Sequence, residues 1–377
     1  MKEIKVFTPI SIGSMTLKNR IVLAALQTSL CHDGYPTEPF IAFFEHLAKS
    51  GASMINVGGA TVSQDPPGLQ FPSGPAVADD KLIPGLSRVA DTIKMQGAKA
   101  CLQLFHPGRG ASTYAASRYG ITPWSASSTR PFLAAVDWKI TKEGDQWDVQ
   151  QVLEPLPVRG ITKEEIKQVV IMNVMGALRA MAAGFDAINL HFANVTLVMD
   201  FMSPYTNTRT DEYGGDWVGR MRLPCEILQA IRSAVGPYYP ITVRIPVDQG
   251  VGEAGIQIDD VVKHIVPRLE EAGADAIDVS AGILDAAPDY IIPPMYYPRG
   301  LYMKHAEAIK KATKLPVLAV GRLCDPRLIE RFIETDRCDV VQVCRPLLAD
   351  PELPKKMMQD RYDDVRMCVA CGYCASG

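Results

Sequence analysis

Eight short apolar runs, each followed by a polar turn and then an amphipathic helical pattern, constrain this chain more than any other feature of it. They are RIVLAA (Arg20 to Ala25), MINVGG (Met54 to Gly59), KACLQL (Lys99 to Leu104), AINLH (Ala187 to His191), ITVRI (Ile241 to Ile245), AIDVS (Ala276 to Ser280), VLAV (Val317 to Val320) and VVQV (Val340 to Val343). Runs this short, with little alternation of polar and apolar positions, read as parallel strands buried on both faces. Parallel neighbours need long crossovers, and the segments between the runs supply helices. Thr37 leads into PFIAFFEHLAKSGA, Thr162 into KEEIKQVVIMNVMGALRAMAAG and Asp259 into DVVKHIVPRLEEAGA. The Thr162 to Glu165 spacing fits a capping box, and Gly51, Gly184 and Gly273 stand where helices stop. Eight strands alternating with helices predict an α/β fold of the (β/α)8 TIM barrel type, with an open doubly wound sheet as the alternative.

Three segments fall outside the repeat. An N-terminal extension precedes the first strand. Residues 125–160, rich in Ser, Pro and Trp and alternating through DWKITKEGDQWDVQQVLEPL, read as a long insertion after the third strand, folded as a hairpin. The tail ends in RMCVACGYCASG, where Cys368, Cys371 and Cys374 have the spacing of thiolates that bind an iron-sulfur cluster or zinc. The expected division is a barrel over residues 1–355 and the beginning of an iron-sulfur segment over 356–377.

Charge and composition narrow the function. The 377 residues carry 39 basic and 42 acidic side chains, a formal charge of −3 with no long Lys/Arg run. Neither nucleic acid nor an anionic membrane surface finds an electrostatic footprint there. No apolar stretch approaches the ~18 residues of a membrane span, and MKEIKVFTPISIG lacks the pattern of a signal peptide. The chain is therefore expected in the cytoplasm. Of nine cysteines, six are scattered, which suits reduced thiols better than a disulfide framework.

The active site of such a barrel lies at the C-terminal ends of its strands. There the third strand ends in QLFHPGR and the fourth in HFAN, the fifth carries Arg244, the seventh ends at Gly321-Arg322 and the eighth at Cys344-Arg345. Arginines converging with a glycine turn at the last two strand ends predict a phosphate-bearing ligand.

The stretches LKNRIVLAALQTS, QLFHPGR, HFAN with FMSPYTNTRTDEYGG, VRI, AVGR and CRPLLADP follow one another in the order and spacing of the old yellow enzyme family of flavin oxidoreductases, which the chain resembles along nearly its whole length. The C-x-x-C-x-x-C run makes it more similar to the branch of 2,4-dienoyl-CoA reductase and trimethylamine dehydrogenase. In that branch an iron-sulfur cluster follows the barrel.

The resemblance implies FMN across the barrel mouth, with its ring edge by the backbone of Ala25, Leu26 and Gln27 and room left by Gly59. It implies Gln103 on the pyrimidine, Arg244 by the N1/O2 edge, and Gly321, Arg322 and Arg345 on the phosphate. His191 and Asn194 match the pair that hydrogen-bonds a substrate carbonyl. Cys368, Cys371 and Cys374 match three ligands of a 4Fe-4S cluster, whose fourth ligand would lie beyond Gly377 together with a flavin- and NAD(P)H-binding part, FAD being its expected flavin. One position departs from the pattern: Thr196 stands where many members have a proton-donating Tyr, so Tyr114, Tyr290, Tyr297 or water would have to serve. Phe192 and Val195 are also bulkier than usual there.

Three readings follow. The first is an FMN-dependent ene-reductase for an α,β-unsaturated carbonyl compound, an enone or enoyl thioester, with electrons from NAD(P)H through the cluster. The second is an amine or steroid dehydrogenase of the trimethylamine dehydrogenase type, and the third is a barrel that binds a phosphate-bearing ligand without redox chemistry. A small-molecule substrate is the expected partner, with assembly into a homo-oligomer left open.

Overall fold

The structure is a computed structural model that describes residues 4–65, 73–111, 120–130, 132–143 and 146–375, and the backbone alone over 132–154. Tyr114 lies outside the described residues.

All eight apolar runs are strands of one closed parallel barrel: β1 (Ile21–Leu26), β2 (Met54–Thr61), β3 (Lys99–Phe105), β4 (Ala187–His191), β5 (Ile241–Pro246), β6 (Ala276–Ser280), β7 (Val317–Ala319) and β8 (Val340–Val343). They neighbour one another in chain order, and β8 closes on β1. Every residue of β2, β6, β7 and β8 is buried, which is why these strands read as unbroken apolar runs. The ring holds two chemical layers. At its N-terminal end Val22, Met54, Cys101, Ala187, Ala276, Leu318 and Val340 form an apolar cluster with Ile12, Met15 and Leu17. The last three belong to the antiparallel hairpin Ile10–Ile12 and Met15–Leu17, so the N-terminal extension plugs the bottom of the barrel.

Helices cover the outside in the predicted order. Helix α1 (Glu38–Ala48) begins at Thr37, whose side chain accepts from the Phe40 N–H, and α2 (Ile83–Met95) follows β2. In α3 (Lys163–Ala182) the capping box is complete: the Glu165 N–H donates to Thr162 Oγ1 at 3.2 Å and the Thr162 N–H to Glu165 Oε2 at 2.8 Å. Gly51, Gly184 and Gly273 all have positive φ, as helix exits require.

The predicted start at Asp259 is displaced. The cap is Gln257, whose N–H donates to Asp260 Oδ2 at 3.0 Å, and the helix opens at Ile258–Asp260. It then widens into a π turn over Val261–Ile265 before resuming as Val266–Glu271. Pro267 explains the widening, since it has no N–H to donate and its ring crowds the carbonyl four residues back.

The insertion after β3 is the expected hairpin, Phe132–Glu143 paired antiparallel with Gln146–Leu156 and bulged between Val152 and Leu153. Its base is tied by a parallel pairing of Trp124–Ser125 with Arg159–Gly160. No helix among the described residues is long and apolar enough to cross a membrane.

Candidate active site

Strand register decides which side chains meet at the barrel mouth. Asn189 pairs with Gln103 and with Thr242, and His191 pairs with Arg244, which pairs in turn with Asp278. Alternate residues of a strand share a face. Asn189 and His191 on β4 therefore stack in two levels on the inside of the ring, as do Thr242 and Arg244 on β5.

Above them opens a cavity of about 520 Å³, within the range of small-molecule sites. Every flavin and substrate residue named from the sequence lines it: Ala25, Leu26, Gln27, Gly59, Gln103, His191, Asn194, Arg244, Gly321, Arg322 and Arg345. Of the tail cysteines Cys374 reaches it, while Cys368 is half-buried outside and Cys371 exposed.

The wall also contains residues that sequence reasoning passed over, among them Phe105, Tyr302, Cys324 and Gln342. Gln342 could have been noticed as the one polar residue of VVQV. Tyr302 could not, because it sits at the start of a helix far from any strand-end motif. The expected crowding by Phe192 is corrected: that ring is buried in the core, and only Val195 enters the cavity wall.

The polar groups are not equally committed. His191 Nδ1 is buried with no hydrogen-bond partner. Burial, helped by the positive charge of Arg244, pushes the imidazole down to about 3, so the ring is neutral at physiological pH and keeps one N–H to donate. Asn194 has a left-handed backbone, with φ of 65°, and its Nδ2 donates to Ala281 O at 2.7 Å and only weakly to Gly282 O at 3.4 Å. Thr196 is fully buried, and its hydroxyl accepts from the Met199 N–H at 3.4 Å as the cap of the short helix Leu197–Met202. The Tyr302 hydroxyl donates to the Tyr290 carbonyl, and Tyr290 and Tyr297 pack edge to face away from the cavity lining.

After β7, Gly321 and Arg322 both have positive φ. Arg322 Nη1 donates to the carbonyls of Met295 and Tyr297 while its Nε is buried and unpartnered, and Arg345 Nη1 donates to Pro293 O at 3.0 Å. Two guanidiniums beside a glycine turn, one with an unused N–H, fit a phosphate monoester. The cavity volume and the unpartnered Arg322 nitrogen fit FMN.

The tail answers differently. Cys368 contacts the Cys324 thiol, a hydrogen bond that holds its own thiol down to about 6. Among the described residues no three His, Cys, Asp or Glu side chains gather as a metal site. As placed, Cys368, Cys371 and Cys374 are not gathered around a common point.

Residues 5–364 match the NADH:flavin oxidoreductase / NADH oxidase family. The chain belongs to that family. It is 34% identical over 368 residues to an NADH oxidase of Thermoanaerobacter brockii, covering 96% of this chain and 52% of that protein. It is 31% identical over 350 residues to an NADPH dehydrogenase of Clostridium acetobutylicum, covering 92% of each. Among solved structures, a 2-naphthoyl-CoA reductase in complex with 2-naphthoyl-CoA superposes with a TM-score of 0.83 at 26% identity, over 98% of this chain and 54% of that one. The chain thus spans about half the length of the first and last of these three proteins and nearly all of the second.

One buried acid in the short helix after β4 yields a stability prediction. Asp200 is fully buried, and Ser125 Oγ donates to its Oδ2 at 2.9 Å. Burial, against the pull of Arg109, pushes its carboxyl up to about 7. A folded value raised above the unfolded one stabilises fully below the unfolded value and loses that contribution as pH rises through the folded one. Relative to Asp200→Asn, the native chain is therefore expected to lose roughly 2–3 kcal/mol between pH 5 and pH 8, read from urea midpoints at the two pH values.

Proposed function

We propose that this chain carries the FMN site of an NAD(P)H-dependent reductase acting on the C=C bond of an α,β-unsaturated carbonyl compound, an enone or an enoyl thioester. The observation that carries the reading is the neutral His191, with an unpartnered ring nitrogen, in the wall shared by every expected flavin contact. FMN, when bound, supplies the hydride. The chain's own residues hold FMN and the carbonyl oxygen, and water supplies the proton that the α-carbon takes up.

In this reading Gln103 and Arg244 hold the pyrimidine edge of the ring, the backbone of Ala25, Leu26 and Gln27 flanks it, and Gly59 gives it room. Gly321, Arg322 and Arg345 bind the phosphate. His191 donates its N–H to the substrate carbonyl oxygen, where negative charge gathers as the β-carbon accepts hydride. Asn194 adds a second donor at small cost, since the hydrogen directed at Gly282 O sits in a contact of 3.4 Å. A neutral imidazole suits this task because its donor strength does not change across physiological pH. Support for an acyl-thioester substrate comes from the 2-naphthoyl-CoA reductase, whose chain is 26% identical to this one.

The division into residues 1–355 and a 356–377 tail, and the assignment of Cys368, Cys371 and Cys374 to a 4Fe-4S cluster, belong to this proposal. Iron and acid-labile sulfide analysis of the protein purified without oxygen tests the cluster directly.

A second reading, an amine or steroid dehydrogenase, is favoured by one observation. The only phenol lining the cavity among the described residues, that of Tyr302, is bonded to a carbonyl, and the Thr196 hydroxyl is bonded within a helix cap. The Tyr302 proton is committed to that carbonyl, and the Thr196 hydroxyl, which only accepts in the cap, is an alkyl alcohol and too weak an acid to protonate a carbon at neutral pH. The visible spectrum decides between the two. A flavin band bleached by NADH and restored by 2-cyclohexenone is the expected result. A band restored by no enone but bleached by an amine would give the site to the dehydrogenase, and absence of any flavin would defeat both.

A further inference from the structure

Behind the cavity wall lies a polar layer that the proposed reaction does not use. Asp278 on β6 is fully buried and does not line the cavity. Its Oδ1 accepts from Arg244 Nη1 at 2.8 Å and also from Gln342 Nε2. Its Oδ2 accepts from Asn189 Nδ2 at 3.0 Å, and Asn189 Oδ1 accepts in turn from Gln103 Nε2 at 2.7 Å. One carboxylate thus holds two residues of the cavity wall directly and a third through Asn189, reaching strands β3, β4, β5 and β8 from its own.

We infer that Asp278 is a positioning residue that sets the reduction potential of the flavin, and the inference rests on FMN occupying this cavity. Arg244 presents a fixed positive charge to whatever lies above it, but 2.8 Å behind that charge stands a carboxylate with no access to water. Charges this close, both out of solvent, act on a third group nearly as a dipole. The reduced flavin carries more negative charge at its pyrimidine edge than the oxidised form, so it gains from Arg244 and loses to Asp278. Asp278 therefore lowers the potential that Arg244 alone would confer. The same carboxylate keeps Arg244 and Gln103 in fixed directions, so the field is built into the barrel before FMN arrives.

A purely structural role predicts something else. Were Asp278 only the partner that makes burial of Arg244 tolerable, its neutral isostere would change stability and leave the potential alone. Both roles are separated by titrating the bound FMN of the full chain with reference dyes, for the native protein, Asp278→Asn and Asn189→Ser. Asn189→Ser breaks the link to Gln103 without removing charge.

The expected result is a two-electron potential at least about 30 mV higher in Asp278→Asn, a tenfold gain in preference for reduced over oxidised FMN at 29.6 mV per decade. Asn189→Ser is expected to weaken FMN binding while moving the potential by less than a third of that shift. Sulfite, an anion that adds to the oxidised ring, is expected to bind Asp278→Asn about tenfold more tightly. A potential unchanged or lowered in Asp278→Asn overturns the inference, as does an equal shift in Asn189→Ser. Should Asp278→Asn fail to fold, the neutral pair R244Q/D278N is compared with R244Q, and a potential no higher in the pair overturns it equally. Absence of FMN from the native protein defeats the flavin assignment itself, which separates the two failures.

Discussion

Replacing His191 with alanine is expected to lower kcat/KM for an enone by about 10²–10³-fold, the cost of removing one donor from a developing oxyanion. Flavin binding and reduction by NADH are expected to survive, because the ring is neutral and its Nδ1 bonds to nothing else in the protein. Stopped-flow measurement of the two half-reactions separates these effects. The loss should fall on reoxidation by enone, with reoxidation by oxygen little altered. Because burial and Arg244 hold the imidazole near 3, the enone rate should also show no break around pH 6.5, where an ordinary histidine titrates. Equal loss in both half-reactions would place His191 in cofactor binding and remove it from the substrate side.

The second large effect is expected at a glycine. A Cβ built on Gly58 would stand 2.5 Å from Leu26 O and 2.7 Å from Leu26 C, and closer still to Leu26 N. These are backbone atoms at the last residue of β1, beside the register shift where β1 and β2 part. Gly58 has no positive φ to explain its choice, so the constraint is purely steric. Moving β1 outward would displace Ala25, Leu26 and Gln27 together, and with them one wall of the cavity. Gly58→Ala is expected to cost about 3 kcal/mol in stability, at the upper end for overpacking, and to abolish FMN retention. Calorimetry and the flavin absorbance of the purified protein check both. The neighbouring Gly59 is held differently: its φ of 58° lies in the left-handed region, and a Cβ there would meet the Gln27 amide at 3.3 Å and the Phe105 ring at 3.5 Å.

How far the sequence could be read follows from the range of each interaction. The barrel strands were legible because a strand buried on both faces must be apolar throughout, so each announced itself without reference to its neighbours. The capping box at Thr162 was legible for the same reason, as a pattern of four residues. The start at Asp259 misled because two adjacent aspartates were equally good signals, and only the backbone shows that Asp260 closes a box on Gln257. Site residues at strand ends could be named through the family resemblance. Their partners could not: that Asp278 would face Arg244 and Gln342 depends on barrel register between β5, β6 and β8, which no local pattern encodes. The contact between Cys324 and Cys368 joins a strand-end loop to the tail across the same kind of gap.

The hairpin that plugs the barrel also bears on how the chain can be made. Leu17 packs in one apolar cluster with Val340, so a segment synthesised before the first barrel strand waits for the eighth before it is covered. Contacts of such sequence separation slow folding, and in the interval Ile12, Met15 and Leu17 are open to misassociation. The barrel therefore cannot mature strand by strand as it is synthesised; its floor is laid only when its last wall is in place.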